Sequence, residues 1–285
     1  MGISYLGKCL LIEEKGENIL VIGDLHLGYE ESLNRGGVFI SRKMFDEMIA
    51  GLEMIFLKSG KVDKIILLGD VKHDFSGVLR QEWDEVSGLL EYLEGKLKDG
   101  GEIIIIRGNH DNYLKNIVNF DNRTEHLSEI IRNKVPECTR ESGDSRCPVI
   151  GNSEEVKRIA HIAFKKGVKV CDYFVLGEFC FLHGDRDFSE ILGEGVKYWI
   201  IGHGHPAVKL GDGVKVESYK CFLIGRFERR EIIIVPSFFE YFAGSDPREN
   251  DLGLAWKFDL EKFKVLIVDD KGLEVRDFGI LRDLR

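Results

Sequence analysis

Hydrophobic positions along the chain fall into short unbroken runs, separated by longer stretches in which apolar residues recur at helical spacing. The runs at 19–22, 65–68, 103–106, 179–182 and 198–201 have strand length and β-branched content. A run without polar alternation suits a strand buried on both faces. After Ser41, a predicted N-cap, the positions Phe45, Met48, Ile49, Leu52, Ile55 and Phe56 recur every three or four residues and predict a helix. A second helix is predicted through Trp83, Val86, Leu89, Leu90, Leu93 and Leu97. Strands alternating with helices predict an α/β sheet carrying helices on its faces. Later runs at 222–224, 232–235, 254–258, 265–268 and 273–275 predict a second set of strands. Residues 121–169 break the rhythm, with Pro136, Gly143 and Pro148 in a loop-like stretch and a helical pattern after it. They are expected to form an insertion or cap within one domain spanning 1–285.

Polar residues sit where the first five runs end. Asp24 and His26 follow the first run and Asp70 the second; Asn109 and His110 follow the third, His183 the fourth, and His203 and His205 the fifth. In α/β sheets, ligands bind in the crevice beyond the carboxyl ends of the strands, so residues far apart in sequence are expected to meet there. Alone, each is unremarkable: a strand-end Asp is more often a turn residue than a ligand. Together they offer two carboxylates, an amide oxygen and several imidazoles. A mixed oxygen and nitrogen set suits first-row divalent ions, with manganese favoured and iron, nickel, cobalt or zinc as alternatives, rather than magnesium or calcium. Asp24 and His26, two apart on an extended segment, point to one side. Glycines before Asp70 and Asn109 let the backbone turn tightly into the site. Two ions sharing a carboxylate lie about 3.5–4 Å apart, close enough to hold a hydroxide between them and to bind phosphoryl oxygens. His110 then serves as an acid toward the leaving oxygen or as a phosphate donor, oriented by His73 or Asp111.

These motifs, Gly-Asp-x-His at 23–26, Gly-Asp-x-x-His at 69–73, Gly-Asn-His-Asp at 108–111, His-Gly at 183–184 and Gly-His-x-His at 202–205, resemble the calcineurin-like metallophosphoesterase superfamily. The resemblance implies a four-layer α/β/β/α sandwich with two facing mixed sheets. It also implies that Asp24, His26, Asp70 and His205 hold one metal, that Asp70, Asn109, His183 and His203 hold the other, and that His110 is the catalytic histidine. Where many members have a second Asp after the bridging one, this chain has His73, similar to the nuclease branch; Asp74 or Asp111 is the substitute partner for His110. Segments 23–28 and 234–238 look most like archaeal SbcD-related phosphoesterases and bacterial DNA-ligase-associated phosphoesterases. The implied activity is hydrolysis of phosphodiesters of DNA or small nucleotides. The alternatives are a phosphomonoesterase, including a protein phosphatase, and a low-turnover metal-binding subunit of a DNA-processing complex.

Composition narrows the substrate. Across 285 residues, 40 Lys plus Arg against 49 Asp plus Glu give a formal net charge of −9. An acidic chain is a poor nonspecific binder of long duplexes, whose affinity comes from counterion release by Lys and Arg. Substrate contacts are expected from Arg35 and Arg42 after the first run, with Tyr29 beside them, and from the aromatic segment Phe238, Phe239 and Tyr241. No apolar stretch approaches the roughly 18 residues of a membrane span, and no secretory pattern opens the chain, so a cytoplasmic protein without membrane partners is expected. DNA-repair proteins and a homodimer are its conceivable partners. The six cysteines have no Cys-x-x-Cys pair and are expected to be free thiols; Cys138/Cys147 and Cys171/Cys180 share one spacing.

Overall fold

The structure is a computed structural model and describes residues 2–118, 167–188, 195–211, 214–269 and 273–284. Two sheets face each other. The first has the order β1 (Gly2–Leu6), β2 (Cys9–Glu14), β3 (Glu17–Ile22), β4 (Val62–Leu67), β5 (Leu97–Ile106), β6 (Val168–Cys171). Its β3, β4, β5 and β6 are mutually parallel, while β1 and β2 run antiparallel at one edge. The second sheet contains β7 (Tyr173–Leu176), β8 (Phe179–Leu182), β9 (Tyr198–Ile201), β11 (Val216–Phe227), β12 (Arg230–Ile234), β13 (Lys264–Asp269) and β14 (Glu274–Ile280), in the order β14-β13-β11-β12-β9-β8-β7. A further strand, β10 (Ala207–Gly211), pairs with the first part of β11. At the centre, β8, β9 and β12 are parallel.

Period-2 geometry explains the unbroken apolar runs. Ile19 and Val21, Ile66 and Leu68, Ile104 and Ile106 face inward, where they meet Phe179, Phe181, Ile200, Phe222 and Ile233 of the second sheet. Their alternates Leu20 and Ile22, Ile65 and Leu67, Ile103 and Ile105 pack outward against the helices α2 (Met44–Ser59), α3 (Arg80–Glu94) and α4 (Leu114–Val118). Cys180, Leu182, Trp199 and Ile201 do the same on the far side of the second sheet. There, among the described residues, the cover is made of 3₁₀ turns at Gly253–Lys257, Leu260–Lys262 and Leu281–Asp283. The fold is therefore a mixed α/β sandwich with both sheets doubly covered.

Several local expectations change. The segment 254–258 is a 3₁₀ turn, because Gly253 at φ +62° turns the chain and Leu254 N–H donates to Gly184 O rather than to a strand. Leu97 opens β5, since the helix ends at Gly95. Gly167 is a turn and residues 168 and 169 belong to β6, while 121–166 of the expected insertion, with Cys138 and Cys147, lie outside the described residues. Cys9, Cys171, Cys180 and Cys221 are free thiols.

Ser41 does not cap α2. The buried carboxylate of Glu30, on α1 (Tyr29–Arg35), accepts from Lys43 N (2.7 Å) and Met44 N (3.0 Å) and takes the capping role from a distance. Glu30→Ala is expected to cost about 2 kcal/mol, read as a lower midpoint in urea unfolding with an unchanged slope. An unchanged midpoint would show that this cap is dispensable.

Candidate metal centre

The carboxyl ends of β3, β4, β5, β8 and β9 converge between the sheets. Leu25 N and His26 N both donate to Asp70 O (3.1 and 2.8 Å), and Leu27 N donates to Val71 O (2.9 Å), zipping the turns after β3 and β4 together. Gly69 and Gly108 allow the approach. A Cβ on Gly69, at φ +98°, would lie 2.6 Å from His183 Nδ1, and one on Gly108 would lie 2.2 Å from Asp70 Oδ1. His26, Asp70, His203 and His205 all have positive φ, between 42° and 63°. A non-glycine residue pays about 1 kcal/mol or more for this conformation, and here the distortion turns the four side chains into one crevice.

The expected ligands form two clusters, and a third grouping, His26 with His73 and His110, shares His26 with the first. Asp24 Oδ1, His26 Nε2 and His205 Nε2 make the first, with His205 3.3 Å from both of the others. The second surrounds His183 Nε2, which has Asn109 Oδ1 at 3.1 Å, His203 Nδ1 at 3.1 Å and Asp70 Oδ2 at 3.3 Å. Asp70 Oδ2 also lies 3.9 Å from His26 Nε2 and so stands between the clusters. His183 Nδ1–H donates to Leu68 O (2.7 Å), so Nε2 is the ring atom turned toward Asn109, Asp70 and His203. A cation among these atoms, whether a metal ion or the proton of a charged His183, offsets the crowding of lone pairs. Atoms bound to one ion at about 2.1 Å are naturally about 3.0–3.4 Å apart, so both clusters fit a divalent ion, with Asp70 available to both. Buried oxygen and imidazole donors also match the chemistry of first-row ions.

Electrostatics point the same way. Burial alone would raise the carboxyls of Asp24 and Asp70, but the adjoining histidines outweigh it and hold both below the usual range. Burial, reinforced by the charge of His205 and His110, drops His26 to about 3; burial with His110 drops His73 to about 4; burial with His183 lowers His203. Burial opposes protonation of His183 too, yet the hydrogen bond and charge of Asp70 and the charge of Asp24 push it up to about 10. Ionised Asp24 and Asp70 beside neutral His26 and His203 are the protonation states that metal binding needs, whereas His183 would give up its second proton to a bound ion.

His110 lies outside both clusters. Its Nδ1–H donates to the backbone oxygen of His73, and its Nε2 is 3.8 Å from Asp70 Oδ2. The ring contacts His26 edge-on at a centroid distance of 4.8 Å and carries Phe75 on one face at 3.6 Å. The main chain of His73 thus holds the His110 ring by this hydrogen bond, while His73 Nδ1 sits 3.4 Å from His26 Nδ1. Asp111 does not fill that role: its buried carboxylate is occupied by Val71 N, Lys72 N and Gly108 N, which tie the two metal-bearing turns together. Asp74 accepts from Ser76 instead.

Of the expected substrate contacts, Tyr241 lies near the rim, 6.4 Å from the Phe239 ring. Phe238 does not. The chain bends at Phe238, which is buried against Gly51 and Lys8, while Phe239 meets His26 at 5.4 Å and Tyr29 at 4.9 Å. Arg35 pairs with Glu31 (3.1 Å), and Arg42 is exposed, its charge felt at Glu85. Two contributors escaped the sequence reading. Phe75 is one. The other is Glu82, buried, whose carboxylate accepts from His73 N, Asp74 N and Leu79 N and fixes the loop carrying His73. Its signal was an acid at the third position of a helix, where a capping side chain reaches back.

The profile of the calcineurin-like phosphoesterases matches residues 17–215. The chain belongs to the calcineurin-like phosphoesterase family. No match is found among the curated proteins. Among solved structures, a Pseudomonas putida nuclease, MPE, is similar at a TM-score of 0.49 and 16% identity, over 91% of this chain and 96% of that chain. As a calcineurin-like phosphoesterase the chain is a hydrolase of phosphate esters, in a family typically dependent on two metal ions. Among the described residues, no helix is long and apolar enough to cross a membrane.

Proposed function

We propose that this phosphoesterase is a phosphodiesterase whose substrates are DNA or small nucleotides. The observation that carries the reading is the character of the groups packed on the site histidines. They are rings: Phe75 on His110, Tyr29 on His73, Phe239 on His26 and Phe242 on His205. A monoester dianion gains most from added guanidinium or ammonium groups. A diester carries a single negative charge and two organic substituents, which aromatic surroundings suit better.

In this reading Asp24, His26 and His205 hold one divalent ion and Asn109, His183 and His203 the other, with Asp70 between them. The ions supply Lewis acidity and an activated water. His110 manages the leaving oxygen. With its Nδ1 proton committed to the His73 carbonyl, Nε2 is the atom that takes up and gives a proton. Asp111 and Glu82 keep the turns rigid. Kinship with SbcD-related and DNA-ligase-associated enzymes, supported by the motifs at 23–28 and 234–238, belongs to the same proposal, as do manganese as the ion, DNA-repair partners and a cytoplasmic location.

With Mn²⁺ supplied, bis-p-nitrophenyl phosphate is expected to give a higher kcat/KM than p-nitrophenyl phosphate. A preference for the monoester overturns the phosphodiesterase assignment and leaves a phosphomonoesterase.

A further inference from the structure

We infer that Phe75 is a specificity-determining residue, a stacking platform for a nucleobase carried by the leaving group. The inference rests on the phosphoesterase chemistry above and extends it to one side of the site. Phe75 is 54% exposed, although it lies in the middle of a loop braced by buried groups. The preceding residues are fixed by Glu82, and the Asp74 carbonyl accepts from the fully buried Lys72 Nζ. The exposed ring is therefore held in place. It is not a side chain swinging free in solvent.

Its location gives it a use. The Phe75 and His110 rings meet at 3.6 Å with planes 32° apart, so one face of Phe75 is taken and much of the rest is open to solvent. His110 Nε2 points toward the Asp70 side of the site, where the oxygen it serves must lie. Whatever that oxygen carries must leave past His110, and Phe75 is the ring seated on it. A flat heteroaromatic group there can stack, whereas an alkyl group gains only partial contact. Stacking of a base on an aromatic side chain is tolerant of base identity, so the platform selects for a nucleoside and not for a sequence. Its selection requires a base free to stack.

The test compares two diesters that share the transferred thymidine 5′-phosphoryl group and have aliphatic alcohol leaving groups: the dinucleotide TpT and the thymidine 5′-phosphate methyl ester. The wild-type protein with Mn²⁺ is expected to favour TpT. In Phe75→Ala the ratio of kcat/KM for TpT over the methyl ester should fall on the order of 10-fold or more, and Phe75→Trp should restore it. A ratio unchanged by Phe75→Ala, both substrates slowing equally, reduces Phe75 to a support for His110 and overturns the inference. Should neither diester be cleaved while monoesters are, the phosphodiesterase reading fails separately. Thymidine 3′-phosphate against methyl phosphate then reads the same ratio. Independently of turnover, quenching of a 2-aminopurine dinucleotide by metal-free protein is expected to weaken in Phe75→Ala, and identical quenching in the variant counts against the platform.

Discussion

Asp70→Ala is expected to lose both metal and activity. The Asp70 Oδ2 atom faces Nε2 of a histidine in each cluster, 3.3 Å from His183 and 3.9 Å from His26, while Oδ1 accepts from His110 N (2.9 Å). Its removal takes negative charge from both ion sites and releases the turn that carries Asn109 and His110. Losing the charge stabilisation that a metal pair supplies is worth several kcal/mol at the transition state, so kcat/KM should fall on the order of 10³-fold or more. Metal analysis of the purified variant should show less than full loading. Full occupancy in that variant would contradict the shared position of Asp70.

His110→Ala makes the contrasting case. Its ring belongs to neither cluster, so the variant is expected to keep the wild-type metal content while kcat drops about 10²- to 10⁴-fold. The loss should also depend on the leaving group. A p-nitrophenolate departs without protonation and should be affected least, an alkoxide most. An equal loss for both would mean that His110 acts on the phosphoryl oxygens and not on the leaving oxygen. Loss of metal along with turnover would move His110 into the ligand set.

Much of this centre was legible because its residues obey a positional rule. Asp24, Asp70, Asn109, His183, His203 and His205 each follow an apolar run, and runs buried on both faces, such as 103–106, can be read without any partner. What was not legible depends on which way a side chain points or on a distant partner. Phe238 and Phe239 are identical in composition terms, and only the bend of the chain decides which reaches His26. Ser41 looked like a cap because caps are usually local, whereas the buried Glu30 supplies this one across 14 residues. The apolar segment 254–258 could not be told from a strand by pattern; its 3₁₀ turn follows from the neighbouring Gly253 and from the carbonyl of Gly184. The arm formed by β10 and the start of β11 was missed because Lys209, Glu217 and Ser218 interrupt its apolar residues, so that Val208 and Leu210, which pack on the second core, form no continuous run. Phe75 carried no signal at all until its ring was seen on His110.

Each cluster draws on both sheets. Asp24 and His26 come from the first and His205 from the second; Asp70 and Asn109 come from the first, His183 and His203 from the second. Neither sheet alone supplies all the donors of either cluster, however well it forms. A chain that has made the first sheet holds Asp24, His26, Asp70 and Asn109 but not yet His183, His203 and His205, the last of which follows Asp24 by 181 positions. Completion of both clusters therefore waits on the second sheet, which makes phosphoesterase activity a reporter of complete folding.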